Sequence, residues 1–498
     1  MKIKQVRKML IKAVSWLFAV YMGYTFLSVI CLERSLVIWK RSYSYSNLLP
    51  VIGVIIALIM FYRMTDLKAI ERFEKISDKS FYTTLAIVSA IVLLVQLICM
   101  RYIAKPLGTD FKTVRDTAGS IGLHYTFIND SYFNKYPNNQ GITFLFAMMM
   151  RVFRRWTVVI AAGVLAINLS ILLTAQIIYC LSGKKTISVM AFVVGTLLFS
   201  FSYRTFVPYT DNYGVFFMVL PLAIALNKKK GIIWSCIGAG SMALACFIKI
   251  TAAIPILAYV CFVMIYGISN NRKKISQMIL VVISFFVVFC TLTICKDICF
   301  QNVGFKQDEQ RGVGIWHYFM MGQNEAKLGS VFGDDIEYSM SFETEEERSE
   351  ANRIEGIRRI KERGIKENLT FFTYKNFQNY GDGGFSPVQR TIRGEEYGDS
   401  LIEKVFIGGK QYYIYYSFVQ QTLWILVLFL IICQAVIDIK DVKDNGIYLF
   451  LKILILGVSA YVLIFESRAK YLYMFVPFYL ILSAEGMKGL FNKIRSLN

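Results

Sequence analysis

Histidine is almost missing from this 498-residue chain, which has only His124 and His317. A zinc centre draws on His and Cys, so it has few ligands to choose from here. The ten cysteines do not supply them, because most (Cys31, Cys99, Cys180, Cys236, Cys246, Cys261, Cys290 and Cys433) lie inside apolar runs. A thiol in such a run behaves as a small hydrophobe, and no disulfide framework follows. Cys295 and Cys299 flank a membrane boundary at a spacing of four, again short of partners for zinc. There is no internal repeat and no low-complexity linker, which points to one helical membrane domain with one insertion. A small-residue cleavage site is also missing after MKIKQVRK and the apolar run behind it, so the N-terminus reads as a retained signal anchor.

Acidic residues are few, 34 against 55 Lys and Arg, for a formal charge of +21. The basic residues sit in small groups beside apolar runs, the pattern of loops held in the cytoplasm, and not in a stripe that would take nucleic acid. What the chain has in abundance is hydrophobic surface: 56% of residues, 15% aromatic, with mean hydropathy +0.49. It reads as a polytopic all-α membrane protein. Segments long enough to span fall near 10–31, 47–62, 81–103, 156–182, 186–208, 212–227, 231–249, 251–269, 275–295, 413–437, 446–464 and 469–487, about twelve in all. A divided reading follows: a membrane region over 1–295 with a first outer loop at 104–155, an insertion of mixed structure at 296–412, and C-terminal membrane helices over 413–498.

The stretch SYFNKYPNNQGITFLFAMMMRVFRR, from Ser131, carries an apolar segment at 142–153 that as a helix reaches roughly 20 Å, short of the roughly 30 Å hydrocarbon layer. If it spans, Lys184-Lys185, Lys228-Lys229-Lys230 and Arg272-Lys273-Lys274 all face outward; if it does not, only Arg151, Arg154 and Arg155 break the positive-inside bias. One exception is preferable to three. The segment is expected to lie in the outer interface as a juxtamembrane helix, the alternative being a short span in a thinned bilayer. This parity puts both termini in the cytoplasm and both the 104–140 loop and the 296–412 insertion outside. Within the insertion, EEERSEANRIEGIRRIKERGIKEN is expected to form an exposed helix with Ile354, Ile357 and Ile360 on one face, ended by Gly364.

Candidate chemistry gathers at that outer face. Asp110 and Asp116 follow the third span, and Asp211 in RTFVPYTDNYG ends the fifth; converging carboxylates suit proton abstraction from a hydroxyl or coordination of a divalent cation such as Mg or Mn. Cations stand where lipid makes them costly: Lys249 between apolar residues, Arg204, and Arg468 and Lys470 in the short turn FESRAKYLYMFVP, which also holds Glu466. An anion at that height is most simply a lipid phosphate. Snorkelling to headgroups is the structural alternative for Lys470.

The order of these features resembles the C-type (GT-C) membrane glycosyltransferase superfamily, in particular bacterial members related to the protein O-mannosyltransferases and the aminoarabinose transferase of lipid A. The matching residues are Asp110 with Ala118 eight positions later, YFNKYPNNQG opening a juxtamembrane helix, Asp211 after RTFVPYT, ANRIEGIRRIKERGIKENLTFFTYKNFQNYGDGGFS, and ESRAKYLYMFVPFYLIL. The resemblance covers most of the chain after residue 80. It implies a GT-C-like fold and transfer of a sugar from a polyprenyl-phosphate donor to a lipid, glycan or protein acceptor on the extracytoplasmic face of the cell membrane. It also implies Asp110 as general base, Lys249, Arg204, Arg468 and Lys470 toward the donor phosphate, and Tyr136, Asn138, Asn139, Tyr380 and Asp382 toward the acceptor. Phe111 stands where better-known relatives often carry a second acid, which leaves metal use and the choice between Asp110 and Asp116 open. Gly-Asp-Gly at 381–383 is equally an ordinary loop turn. Two rival readings are a Wzy-type polysaccharide polymerase or ligase, resting on Arg390 and Arg393, and a flippase of lipid-linked sugar, which favours the internal repeats missing here.

Overall fold

In hydrocarbon no water serves the backbone, so apolar runs satisfy their N–H and C=O groups internally as helices. The computed structural model describes residues 2–32, 47–65, 68–104, 110–226, 231–266, 272–386, 397–440 and 446–496. Among these every expected apolar segment contains a helix and there is no strand. Six helices are long and apolar enough to cross a membrane: Gln5–Cys31, Asp78–Ile103, Trp156–Ser182, Ile275–Asn302, Tyr413–Ile439 and Gly446–Ile464. Leu48–Met64, Lys185–Ser200, Thr210–Leu226, Ile232–Ile248 and Ile250–Tyr266 are shorter apolar helices. The chain is an all-α membrane protein.

The central core lies where Tyr413–Lys440 and Val476–Arg495 pack together and against Trp156–Ser182. Trp424, Tyr473 and Tyr479 are fully buried there. Outward-facing residues of the first and third expected spans, such as Leu17, Val20, Ile91 and Leu94, remain exposed apolar surface, as lipid-facing positions do.

Breaks in these helices position the polar residues. The segment expected at 186–208 is helical over Lys185–Gly195, widens to a π-turn at Thr196–Ser200, and tightens to a 3-10 turn at Tyr203–Phe206 that carries Arg204. Lys249 is extended (φ −152°, ψ 117°) between helix Ile232–Ile248 and the 3-10 turn Ile250–Ala252, so a cation stands at an interruption of an apolar run.

The segment behind YPNNQG is helix Gln140–Phe153, ended by Arg154 in the left-handed region (φ 54°). One face, with Ile142, Thr143, Phe146, Ala147 and Met150, is buried against helices Asp110–His124 and Ile232–Ile248. Val152 and Phe153 are exposed beside Arg151, Arg154 and Arg155, so one end of the helix presents apolar and basic side chains together.

The insertion corrects two expectations. Its regular structure among the described residues is helical (Gly314–Gly322, Gly333–Met340, Glu345–Tyr380 and Leu401–Phe406), joined by turns and with no strand, where mixed structure was expected; and residue 296 lies inside helix Arg272–Asn302. The acidic helix opens on a Thr344–Glu347 capping box, which satisfies its first N–H groups. Gly364 (φ 67°, ψ −175°) breaks it, as expected, but a second helical stretch runs on to Tyr380. Its buried face holds Arg348, Asn352, Gly356 and Arg363, while Ile354 stays exposed. Polar side chains win the inner face because Arg348 and Arg363 there satisfy main-chain carbonyls of the insertion.

Gly141 of YPNNQG lets the short helix touch the end of helix Ile232–Ile248: a Cβ there would sit 2.0 Å from the Phe247 carbonyl oxygen. Gly141→Val is therefore expected to cost about 1–3 kcal/mol through forced separation of the two helices, read as a lowered Tm of the detergent-solubilised protein.

Candidate functional site

The turn joining Gly446–Ile464 to Lys470–Tyr473 is too short to fold on its own, and the insertion holds it residue by residue. Gln323 Nε2 donates to the Ile464 carbonyl (2.8 Å) and Lys375 Nζ to the carbonyls of Phe465 (2.8 Å) and Gly322. Ser467 N–H donates to the Gly329 carbonyl (2.8 Å), Ser330 Oγ to the Ser467 carbonyl (2.9 Å), and Ser467 Oγ to Asn379 Oδ1 (3.0 Å). Lys375 is fully buried, and burial, with Arg363 nearby, pushes its ammonium well below the usual lysine range. Gly322 permits the approach: a Cβ there would stand 2.6 Å from Ile464 and Phe465 backbone atoms.

This clasp aims Glu466, Arg468 and Lys470 into one space. Arg468 Nε and Lys470 Nζ each lie 3.9 Å from Glu466 Oε1, and Tyr471 donates its hydroxyl to Glu466 Oε2. Burial, the largest influence on Glu466, raises its carboxyl, but Lys470, Arg468 and the Tyr471 hydroxyl together outweigh it and hold the group below the ordinary glutamate value. It stays ionised at neutral pH.

The second part of the site comes from the broken membrane segments. Asp211, 3% exposed, accepts from Lys249 Nζ and lies 3.7 Å from Arg204 Nη2. Arg204 also donates to the Phe385 carbonyl (3.4 Å), which ties YGDGGFS to it. Asn212, next to Asp211, donates to the carbonyls of Arg204, Thr205 and Val207 and so fixes the turn that carries Arg204. The two parts meet at Tyr471, whose ring has Lys249 Nζ 5.5 Å and Lys470 Nζ 4.7 Å from its centroid, and at Tyr461, within electrostatic reach of both Glu466 and Asp211.

Asp110 enters from the first loop, as the first residue of helix Asp110–His124. A hydrogen-bond chain approaches it: Tyr209 hydroxyl to Asn139 Oδ1 (2.8 Å) and Asn139 Nδ2 to the Tyr132 hydroxyl (2.7 Å), which lies within electrostatic reach of Asp110. Burial first, then Tyr209 and Asp110, push the Tyr132 hydroxyl far above its ordinary value, so it remains a donor. Tyr136, pushed up to about 12 by burial and then by Asp110 and Glu466, stands between the first loop and the turn. Tyr318 of the insertion feels Glu466, Tyr136 and Asp110 as well.

The structure thus brings together Asp110, Asp211, Lys249, Arg204, Arg468, Lys470, Tyr136 and Asn139. It leaves others apart. Asp116 pairs with its neighbour Arg115 (2.7 Å) at the half-exposed side of its helix, and Asn138 is exposed. Tyr380, expected near the acceptor, is a core residue: its hydroxyl meets Ser459 and Tyr479 (both 2.7 Å) and its ring stacks with Trp424. Asp382 accepts from the N–H groups of Gly384 (2.9 Å) and Ser386 (2.8 Å), the ordinary loop turn that Gly-Asp-Gly equally suggested. Arg390, Arg393 and Lys228-Lys229-Lys230 lie outside the described residues. Glu466, Tyr132, Tyr471 and Lys375 were not singled out for a role; only Glu466 carried a signal, an acid at a membrane edge.

No three His, Cys, Asp or Glu side chains gather as metal ligands among the described residues. Asp211 is engaged by two cations and Asp116 by a third, so these acids do not fit a divalent ion. A cavity lined by Ser15, Gln434, Asp438, Lys452 and Glu485 lies toward the opposite end of helix Gly446–Ile464 and takes no part in this site.

Residues 6–488 match the model of a family described as conserved hypothetical integral membrane protein, and the chain belongs to that family. No curated protein matches it in sequence. Among solved structures it is similar to ArnT from Cupriavidus metallidurans bound to undecaprenyl phosphate, with 12% identity over 83% of this chain and 79% of that one and a TM-score of 0.32. The apo state of that protein gives 11%, 83%, 78% and 0.34. So distant a superposition carries no weight for fold or activity.

His317, buried beside this site with Nδ1 2.7 Å from Ser339 Oγ, is pushed down to about 4, chiefly by burial. Its unfolded value is about 6.5, so the unfolded chain takes up the proton first. Stability of the insertion is expected to be complete above about pH 6.5 and to fall as pH drops toward about 4; Trp316 fluorescence during urea unfolding at each pH reads it, and His317→Gln is expected to flatten the slope.

Proposed function

We propose that this protein is a GT-C-type glycosyltransferase that moves a hexose from a polyprenyl-phosphate donor to an acceptor hydroxyl at the extracytoplasmic face of the cell membrane. One observation carries the reading: Arg204, Lys249, Arg468 and Lys470 gather around only two carboxylates, Asp211 and Glu466, with Asp110 across Tyr136 from them. Four cations against three acids, Asp110 included, leave an excess of one positive charge in a largely buried cluster, which favours an anion such as a phosphate.

The chemistry follows from this charge pattern. The acceptor oxygen attacks the anomeric carbon as the bond from that carbon to the phosphate oxygen breaks. The electron pair leaves with the phosphate, whose charge Lys249, Arg204 and Lys470 offset, so a general acid is not required. Asp110 takes the acceptor's proton. Tyr132, beside Asp110, is the neighbour placed to orient the carboxylate. A single displacement inverts the anomeric centre and uses one essential base.

The proposed topology keeps both termini in the cytoplasm, the membrane helices over 1–295 and 413–498, and the 296–412 insertion outside over the acceptor. Membrane lipids are partners through the lipid-facing helices. The acceptor itself is a lipid, glycan or protein hydroxyl.

Asp110→Asn is expected to lower transfer of radiolabelled hexose from polyprenyl phosphate by about 10²–10⁴-fold while donor binding is retained. Undiminished transfer would move the base elsewhere, and vectorial movement of intact donor would show a flippase instead.

A further inference from the structure

Two buried polar atoms at the centre of the site have no hydrogen-bond partner in the protein. Glu466 is 6% exposed and its Oε1 accepts nothing; the Nε–H of Arg468 donates to nothing; the two lie 3.9 Å apart. A charge-assisted pair free to move would close to about 2.8 Å. The clasp keeps it open. Ser467, between them, is fixed at N–H, carbonyl and hydroxyl, the Phe465 carbonyl is fixed by Lys375, and the other oxygen of Glu466 is held by Tyr471. Leaving both atoms without a partner is costly, so a ligand group that serves the two together would be favoured there.

That group must accept from Arg468 and donate to Glu466 at once. A phosphate oxygen does the first and is repelled by the second; an ammonium does the reverse. A hydroxyl does both with one oxygen. We propose that Glu466 and Arg468 form a sugar-hydroxyl subsite that reads one hydroxyl of the hexose carried by the donor lipid, an inference that rests on the transferase reading above. The donor is the source because the phosphate-drawing cations adjoin the pair: Lys470 lies 3.9 Å from the same Glu466 oxygen, and Lys249 shares the Tyr471 ring with it. The sugar is bonded directly to that phosphate.

The test uses the full-length protein in nanodiscs, titrated with polyprenyl phosphate, with its glucose, mannose and galactose esters, and then with monodeoxy forms of whichever ester binds most tightly. Wild type is expected to lose about tenfold or more in affinity when one particular hydroxyl is removed. In Glu466→Met the sugar-free lipid is expected to bind as well or better, because a carboxylate beside Lys470 is gone, while the glycosylated lipid weakens and the deoxy penalty vanishes. Arg468→Lys, which keeps the charge but moves the donor, is expected to lose the penalty as well. A lesion of the turn alone would weaken both lipids alike and overturn the assignment. So would monodeoxy lipids that bind wild type like the parent, or a penalty found only with a deoxygenated acceptor. If wild type binds none of the phosphorylated lipids better than polyprenol, the transferase reading itself falls, a distinct result.

Discussion

A carboxylate taken out of water must find its counter-charge where it stands, and Asp211 sets that condition for the whole site. It is buried at the start of helix Thr210–Leu226, and the groups that neutralise it, Lys249 and Arg204, come from two interrupted apolar segments. Each interruption would be costly alone, because a broken helix leaves backbone groups unserved in an apolar setting. Asn212 removes much of that cost by donating to three carbonyls of the Arg204 turn. The acid, the two cations and the two breaks are therefore one feature, and removing one partner strands the others.

Around this centre the insertion is a structural part of the membrane domain. The clasp on residues 464–467 holds their main chain through Gln323, Gly329 and Ser330 on one side and Lys375 on the other, and Asn379 accepts from the Ser467 hydroxyl. Main-chain contacts of this kind fix a turn more firmly than side-chain packing does, since the groups cannot rotate away. The helix Glu345–Tyr380 that supplies Lys375 and Asn379 also meets the first membrane helix through Asn376, which accepts from Tyr21 (2.8 Å). Movement of the insertion would thus be felt at Glu466, Arg468 and Lys470.

Much of the fold was legible because lipid imposes a simple rule. The apolar segments appeared where hydropathy put them, and Gly364 broke the acidic helix where its backbone freedom suggested. The costly cations were legible too: Lys249, Arg204, Arg468 and Lys470 stood out because apolar neighbours make a charge conspicuous. The misses share a cause. The buried face of the acidic helix carried no apolar signal, since Arg348, Asn352 and Arg363 occupy it and distant carbonyls accept from the two arginines there. Tyr380 and Asp382 looked like site residues, yet one completes the core and the other its own turn. Lys375 resembles any lysine of a charged helix until its two carbonyl partners are seen.

Composition and periodicity by themselves determined the class of the protein, an all-α chain in a membrane, and which charges would be expensive, because both depend on local transfer from water to an apolar medium. Only the tertiary structure decided which of those charges meet. Asp110, Asp211, Lys249 and Glu466 come from four separate stretches, and no local pattern states their separation. The division between Asp110 in the cluster and Asp116 on Arg115 was likewise decided by packing, since a helix turns two such residues to different sides and only neighbouring elements settle which side is inward.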